Sequence, residues 1–310
     1  MRGMAVAVAK RRRVGGGLGS ERTREALVGY GFVAVPMAFF LLFFIFPIGY
    51  AFYISRYDWQ IFKGPFVGWD NYRTLYHDSV FWRHAVRNTL VYTATVVPLQ
   101  MALGLALAVV VNQAIRFRTF FRAAFYFPSL AASAAVAAIA TYILASDGLF
   151  NTILDHLGYH HNNAWFAQQS TALPAIIGLN AWTTSGTIMI FYLAALQAIP
   201  IDVYEAAAID GAGAWRTFRK ITFPLLKPGH FFVAVVSIIG ALQMFDQSFL
   251  IGGASGGPNY STLTTVLYLY NQAIANIKFG YGAAVGVVLF AFIFTVTVIQ
   301  RLLFGRAEVA

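Results

Sequence analysis

The sequence contains no cysteine. Disulfides and thiolate metal sites are therefore excluded, and the zero count says nothing about compartment. Charge is also scarce. Only 11% of the 310 residues are Asp, Glu, Lys or Arg, against roughly 25% in a soluble domain. A deficit of that size keeps most of the chain out of water. There is no G-x-x-x-x-G-K-[ST] loop, and no Gly-Lys-Ser or Gly-Lys-Thr anywhere. The phosphate cradle that ATP hydrolysis needs is missing, so the chain is not itself an ATPase. No His-Asp-Ser grouping appears, and no metal cluster. His160 and His161 are adjacent, and neighbouring side chains point apart in most backbone conformations.

What is present is apolar. Hydrophobic residues make up 59% of the chain. Long runs lack any charge, among them Ala26 to Ser55, Asn88 to Ile115, Ala123 to Ser146 and Phe279 to Gln300. Each exceeds the roughly 20 apolar residues that cross a bilayer as helix. The predicted architecture is an all-α integral membrane protein with about six spans, near 28–54, 88–112, 122–145, 172–198, 229–250 and 280–303. The apolar segment from Val28 to Ile54 is too long for a signal peptide, whose core has about 7–15 residues. Residues 1–27 read as a basic, flexible cytosolic tail, 28–304 as the transmembrane domain and 305–310 as a second cytosolic tail.

The net charge of +10 suits nucleic acid in a soluble protein, but here the basic residues cluster in particular loops, so no nucleic-acid partner is expected. Cytoplasmic loops retain Lys and Arg. With the N-terminus inside, 16 of the 22 basic residues fall in inner segments. Both termini are therefore expected to be cytosolic. The first outer segment, 55–87, carries Trp59, Trp69, Tyr72 and Trp82, which suit a bilayer interface.

The inner loop at 199–228 is unusual. It reads as two short helices with a glycine break. Asp202 can cap the first, with Glu205 at capping-box spacing. Ala206, Ala207 and Ala208 favour helix. Gly211 and Gly213 allow a turn with positive φ. Trp215 to Ile221 reads as a basic amphipathic helix that Pro224 and Pro228 end. An alanine-rich helix presents its backbone closely and suits a groove on another protein; a plain interfacial connector is the alternative.

Glu205-Ala206-Ala207, then Gly211, then nine residues, then Ile221-Thr222-Phe223-Pro224, resembles the EAA motif of binding-protein-dependent ABC importer permeases. Phe223 stands where that motif usually has leucine. Arg87-Asn88-Thr89, Gly104, Arg122, Pro128, Gly148 with Asn151, Trp165, Trp182 and Gly256-Gly257-Pro258 extend the likeness over roughly residues 30 to 302, toward the sugar-permease branch of type I importers, similar to the maltose permease. The resemblance implies a core transmembrane domain over about 86–302. It implies a coupling helix at 202–210 seated in a cleft of a cytosolic ATPase, with Asp202, Tyr204, Glu205, Ala206, Ala207, Asp210 and Gly211 as coupling residues. It implies a second permease with its own EAA loop, an ATPase dimer that uses ATP and Mg, and an extracellular or lipid-anchored binding protein that delivers solute. No cofactor is expected in this chain. The setting implied is a prokaryotic plasma membrane.

Polar residues inside spans are costly and usually face a cavity or another helix. The fourth span holds Asn180, Trp182, Thr183, Thr184 and Ser185, and the fifth holds Gln243, Phe245, Asp246 and Gln247. At about 1.5 Å rise per residue, Asn180 to Thr184 lie about 12–18 Å from the outer end, and Gln243 lies about 9 Å below the outer edge of the apolar core. Sugars need amides, hydroxyls and an aromatic face. Asn180, Trp182, Thr183, Thr184, Gln243, Phe245 and Asp246 are the candidate solute contacts, in spans that correspond to those holding sugar in the similar maltose permease. Helix-to-helix bonding by the hydroxyls is the alternative role. The leading function is the permease subunit of an ABC importer for a sugar-like solute. An ion-coupled secondary transporter would need more ionisable groups than Asp246, and a non-transporting scaffold would not need polar groups matched in depth.

The orientation is directly testable, because a chain without cysteine labels only where a thiol is introduced. Lys10→Cys and Trp215→Cys should resist an impermeant thiol reagent in intact cells and react once the membrane is opened. Labelling of either from outside would reverse the topology.

Overall fold

A backbone inside a bilayer has no water to bond, so an apolar run must satisfy its own N–H and C=O groups as helix. The computed structural model describes residues 18–113, 116–160 and 163–304. Among these, five helices are long and apolar enough to cross a membrane. They are α1 (Thr23–Ile54), α3 (Phe81–Asn112), α7 (Ala172–Gln197), the run Lys227–Gly252 and α13, which continues from Phe279 through Leu303. Two separate compact units divide after Ala51. In the first, helix begins at Leu18, inside the segment predicted as tail, and the side chains from Thr23 to Tyr50 are all exposed. The basic cluster at 10–13 and the predicted tail at 305–310 lie outside the described residues.

The third predicted span is not one straight helix. It is α4 (Arg118–Leu130) and α5 (Ser133–Ile143), which meet at 93°. Between them Ala131 and Ala132 are extended, with ψ near 140° and 135°. Both limbs are apolar, so the hydropathy that marks a span does not reveal the bend. The fifth span is interrupted too. Helix α10 (Lys227–Leu242) stops, Gln243 to Phe245 are non-helical, and α11 (Asp246–Gly252) resumes.

The second unit is built on α3, which packs along α7. Gly104 permits that approach, since a Cβ there would lie 2.5 Å from Ile188 Cγ2. Gly186 does the same for α4, where a Cβ would sit 2.4 Å from the Phe125 carbonyl oxygen. Tyr92, Val96, Ile176 and Met244 form one buried cluster where α3, the start of α7 and the break in the fifth span meet. Ile188, Tyr192, Leu196, Leu226 and Val233 form another toward the inner loop.

The segments predicted to be outer are folded. A hairpin pairs β1 (Tyr57–Trp59) with β2 (Lys63–Phe66), and α2 (Asp70–His77) follows it. Helix α6 (Leu149–His156) lies between the broken span and α7. The loop after α11 is held by side chains from the spans. Asn88 Nδ2 donates to the carbonyls of Tyr260 (2.7 Å) and Leu263 (3.1 Å). Thr264 Oγ1 donates to the Met244 carbonyl at 2.8 Å, and also caps α12 (Thr265–Tyr270) by accepting from Leu267 N–H. One threonine thereby serves the interrupted span and starts the next helix.

Asp78 ties α2 to the outer ends of α3, α12 and α13. Its carboxylate accepts the N–H groups of Val80 (2.9 Å) and Phe81 (3.0 Å), the Tyr281 hydroxyl (2.9 Å) and the Tyr268 hydroxyl. Partial burial pushes its pKa up, but these four hydrogen bonds outweigh burial and hold it below the ordinary 3.8. A depressed carboxyl contributes stability that is complete above its unfolded pKa and is lost as pH falls through the folded one. Asp78→Asn should therefore destabilise the purified protein by about 1 kcal/mol at neutral pH, with the difference shrinking once pH drops below about 3.8. Thermal melts across pH check this. An equal deficit at pH 7 and at pH 3 would show that the charge is not what matters.

Candidate functional site

A cavity of about 400 Å³ lies among α3, α7 and the interrupted fifth span. Its size falls in the usual range for small-molecule sites, about 300–1,000 Å³. The break at Gln243 to Phe245 delivers three predicted contacts to its wall at once: Gln243, Phe245 and Asp246. Asn180 and Thr184 line it from α7. Residues 180, 184, 187 and 188 share one face of a helix with 3.6 residues per turn, and all four border the cavity.

Two predicted contacts fall elsewhere. Trp182 is 56% exposed and does not line this cavity. Two residues beyond Asn180 the helix has turned about 200°, which carries the indole to the opposite face. Thr183 is buried and lines instead a smaller cavity of about 140 Å³ beside the bend between α4 and α5, with Ser129, Ser133 and Gln247. The hydroxyls of Thr183 and Ser185 donate to carbonyls of their own helix, at Asn180 (3.1 Å) and Trp182 (2.8 Å). Thr184 Oγ1 lies 2.7 Å from the Asn180 carbonyl and 2.8 Å from Gln100 Oε1, and its one proton serves one of the two. Only Thr184 joins helices.

Sequence reasoning missed Gln100 and Ser237. Gln100 is buried in α3 and borders the cavity. Ser237 is 5% exposed in α10, borders the same cavity, and its Oγ has no hydrogen-bond partner among the described residues. A buried hydroxyl left unbonded costs about 1–3 kcal/mol, so this one is placed to receive a bond from whatever fills the space. The only signal in the sequence was a lone polar residue in an apolar run, and such residues more often bond to their own helix.

At the other end, α8 (Ile201–Ile209) follows α7 after a three-residue link. The anticipated capping box does not form. Pro200 occupies the N-cap, and the helix has no side-chain cap. Gly211 adopts φ +69°, as expected, whereas Gly213 is extended at φ −68°. The chain then runs helically over 214–225, with Pro224 and Pro228 in the first turns of the pieces Phe223–Leu225 and Lys227–Leu242 and not beyond a helix end. No other element packs along α8 by more than an isolated contact. Asp202, Glu205, Ala206, Asp210 and Gly211 are exposed. Ala207 is buried, and Tyr204 turns toward the body, 3.3 Å from Thr222 Oγ1. The exposed face also carries Ile201 (66% exposed) and Ile209 (87%), which sequence reasoning did not single out. His161 lies outside the described residues.

Comparison with known proteins agrees with this layout. The family described as "Binding-protein-dependent transport system inner membrane component" matches residues 103–309. The arabinooligosaccharides transport system permease protein AraP of Bacillus subtilis (strain 168) is 35% identical over 279 residues, 89% of this chain and 88% of that protein. The lactose transport system permease protein LacF of Rhizobium radiobacter is 34% identical over 275 residues, 88% of this chain and 92% of that protein. Among solved structures, a bacterial alginate ABC transporter in complex with an alginate pentasaccharide-bound periplasmic protein superposes with a TM-score of 0.77 at 23% identity, covering 92% of this chain and 96% of that one. At that identity the likeness concerns the fold.

If the cavity holds solute, Asn180→Ala, Gln243→Ala and Ser237→Ala should each raise the half-saturating concentration for oligosaccharide uptake by about two- to ten-fold, the worth of one hydrogen bond, without lowering the amount of protein in the membrane. Unchanged half-saturation in all three, and in the combination, would move the solute site off this chain.

Proposed function

The chain belongs to the binding-protein-dependent transport system inner membrane components, and from that premise we propose that it forms half of the translocation path of an ABC importer for an oligosaccharide-like sugar. The observation that carries the proposal is α8, a helix that follows a cavity-lining span after three residues and, among the described residues, keeps most of its surface exposed, held to the body only at Tyr204 and Ala207. Its exposed Ile201 and Ile209, with Asp202 and Glu205 between them, suit a cleft on a cytosolic ATPase. ATP and Mg belong to that partner. A second permease would supply the other half of the path. Solute would arrive from an extracellular binding protein, as the alginate transporter is in complex with a periplasmic protein bound to alginate pentasaccharide. The sugar class is supported by the relatives' named substrates and by the cavity's mixture of amides, hydroxyls and aromatic rings. Asn180, Thr184, Gln243, Phe245 and Asp246, joined by Ser237 and Gln100, are the proposed contacts.

Gly211 offers a discriminating test. A Cβ there meets nothing within 4 Å, so a substituent is resisted by backbone conformation alone. Aspartate tolerates the left-handed region better than most residues, so Gly211→Asp should leave the loop folded while placing bulk and charge against the partner. The expected result is normal membrane insertion with loss of the co-purifying ATPase; Glu205→Lys should behave alike, and Glu205→Ala should be milder. Full retention of bound ATPase and of transport in Gly211→Asp would reduce the loop to a connector.

A further inference from the structure

The inner loop departs from α7 and returns as α10, and one part-buried contact closes its base. His230, in the first turn of α10, lies with Nδ1 3.0 Å from the hydroxyl of Tyr192 on α7. The Tyr192 side chain is 1% exposed. The imidazole also packs against the ring of Phe223 in the loop's returning helical limb, ring centres 4.5 Å apart and planes tilted by 44°. The neighbouring Thr222 meets Tyr204 of α8. Gly229 brings the helices close enough, since a Cβ there would lie 2.7 Å from Ala195 Cβ. Around this point Leu196, Leu226 and Val233 are buried together with Tyr192. The contact therefore joins two of the helices that carry the cavity's polar groups, α7 with Asn180 and Thr184, and α10 with Ser237 leading to Gln243.

We infer that His230 is a positioning residue that clamps α7 to α10 at the root of the loop, so that a displacement of α8 moves both cavity walls as one body. Helix α8 is joined covalently to α7 through residues 198–200, so α7 follows it in any case. Nothing in the chain order obliges α10 to follow at the same time. A long apolar interface between the two helices would permit sliding, because dispersion contacts are numerous and non-directional. A buried hydrogen bond is directional, and breaking it strands a polar group. The ring of Phe223, packed against the same imidazole, couples the loop's returning limb to that point. The inference rests on the transporter function proposed above.

Its test uses the absence of native cysteine. Single thiols, from Asn180→Cys on α7 and Gln243→Cys beyond α10, are placed in the transporter complex in membrane vesicles. Their labelling by a small methanethiosulfonate is timed with and without ATP plus vanadate, which traps a closed ATPase. Both rates should change on trapping in the otherwise unaltered complex. Adding Tyr192→Phe keeps the ring and removes the hydroxyl. The Asn180 thiol should still respond, while the response of the Gln243 thiol should shrink about three- to ten-fold, the factor one ordinary hydrogen bond supplies. His230→Ala should act likewise, and His230→Gln, which restores a polar partner for the tyrosine, should recover most of the response. A role in packing alone would lower the amount of complex and leave the paired response intact. Paired responses that persist in Tyr192→Phe and His230→Ala, or that vanish together, overturn the clamp. If neither thiol responds in the unaltered complex, the transporter reading fails and the clamp falls with it.

Discussion

Every feature of this chain depends on the absence of water between its two ends. An unbonded amide or carbonyl at membrane depth costs several kcal/mol, so a spanning segment can leave the helix only where protein or a cavity receives its backbone. The chain leaves it twice. At Gln243 to Phe245 the freed Met244 carbonyl is taken by Thr264, which arrives from the outer loop. At Ala131 and Ala132 the two limbs of the third span meet at 93° beside a polar cavity lined by Ser129, Ser133 and Thr183. The breaks lie where the polar groups are, because polar groups make breaks affordable and breaks aim polar groups inward.

That same constraint explains which parts of the fold were legible in the sequence. Long apolar charge-free runs mark spans, so their positions could be read to within a few residues, as at Ala172–Gln197 and Phe279–Phe304. The bend in the third span could not be read, because hydropathy reports how much a segment avoids water and not its direction. The inner loop was partly legible. Gly211 takes the positive φ that glycine permits, but the capping box fails because Pro200 takes the N-cap that Asp202 was expected to fill. In the candidate site, depth was readable from rise per residue, and Asn180, Thr184, Gln243, Phe245 and Asp246 all border one cavity. Facing was harder. Trp182 sits at the right depth on the wrong side, and Ser237 was hidden because one serine in an apolar helix carries no pattern.

The outer region shows how a chain poor in charge still makes specific joints. Asp78 gathers two neighbouring backbone amides and two tyrosine hydroxyls from elements far away in sequence. Asn88 holds two carbonyls of the glycine-rich loop whose Gly253, Gly256 and Gly257 all have positive φ. A few directional bonds fix the loops at one end, the His230–Tyr192 pair marks the other, and the apolar helices between them carry the cavity.

Energy coupling separates this account from its nearest rival. Asp246 is the only ionisable carboxylate bordering the large cavity among the described residues, which is meagre equipment for an ion-coupled carrier, while α8 has no purpose in one. The most direct measurement is uptake of radiolabelled oligosaccharide by vesicles holding the complete transporter, with its binding protein added. Uptake should require ATP, stop with vanadate and survive a proton ionophore. Uptake that ignores vanadate and collapses with the ionophore would contradict the account.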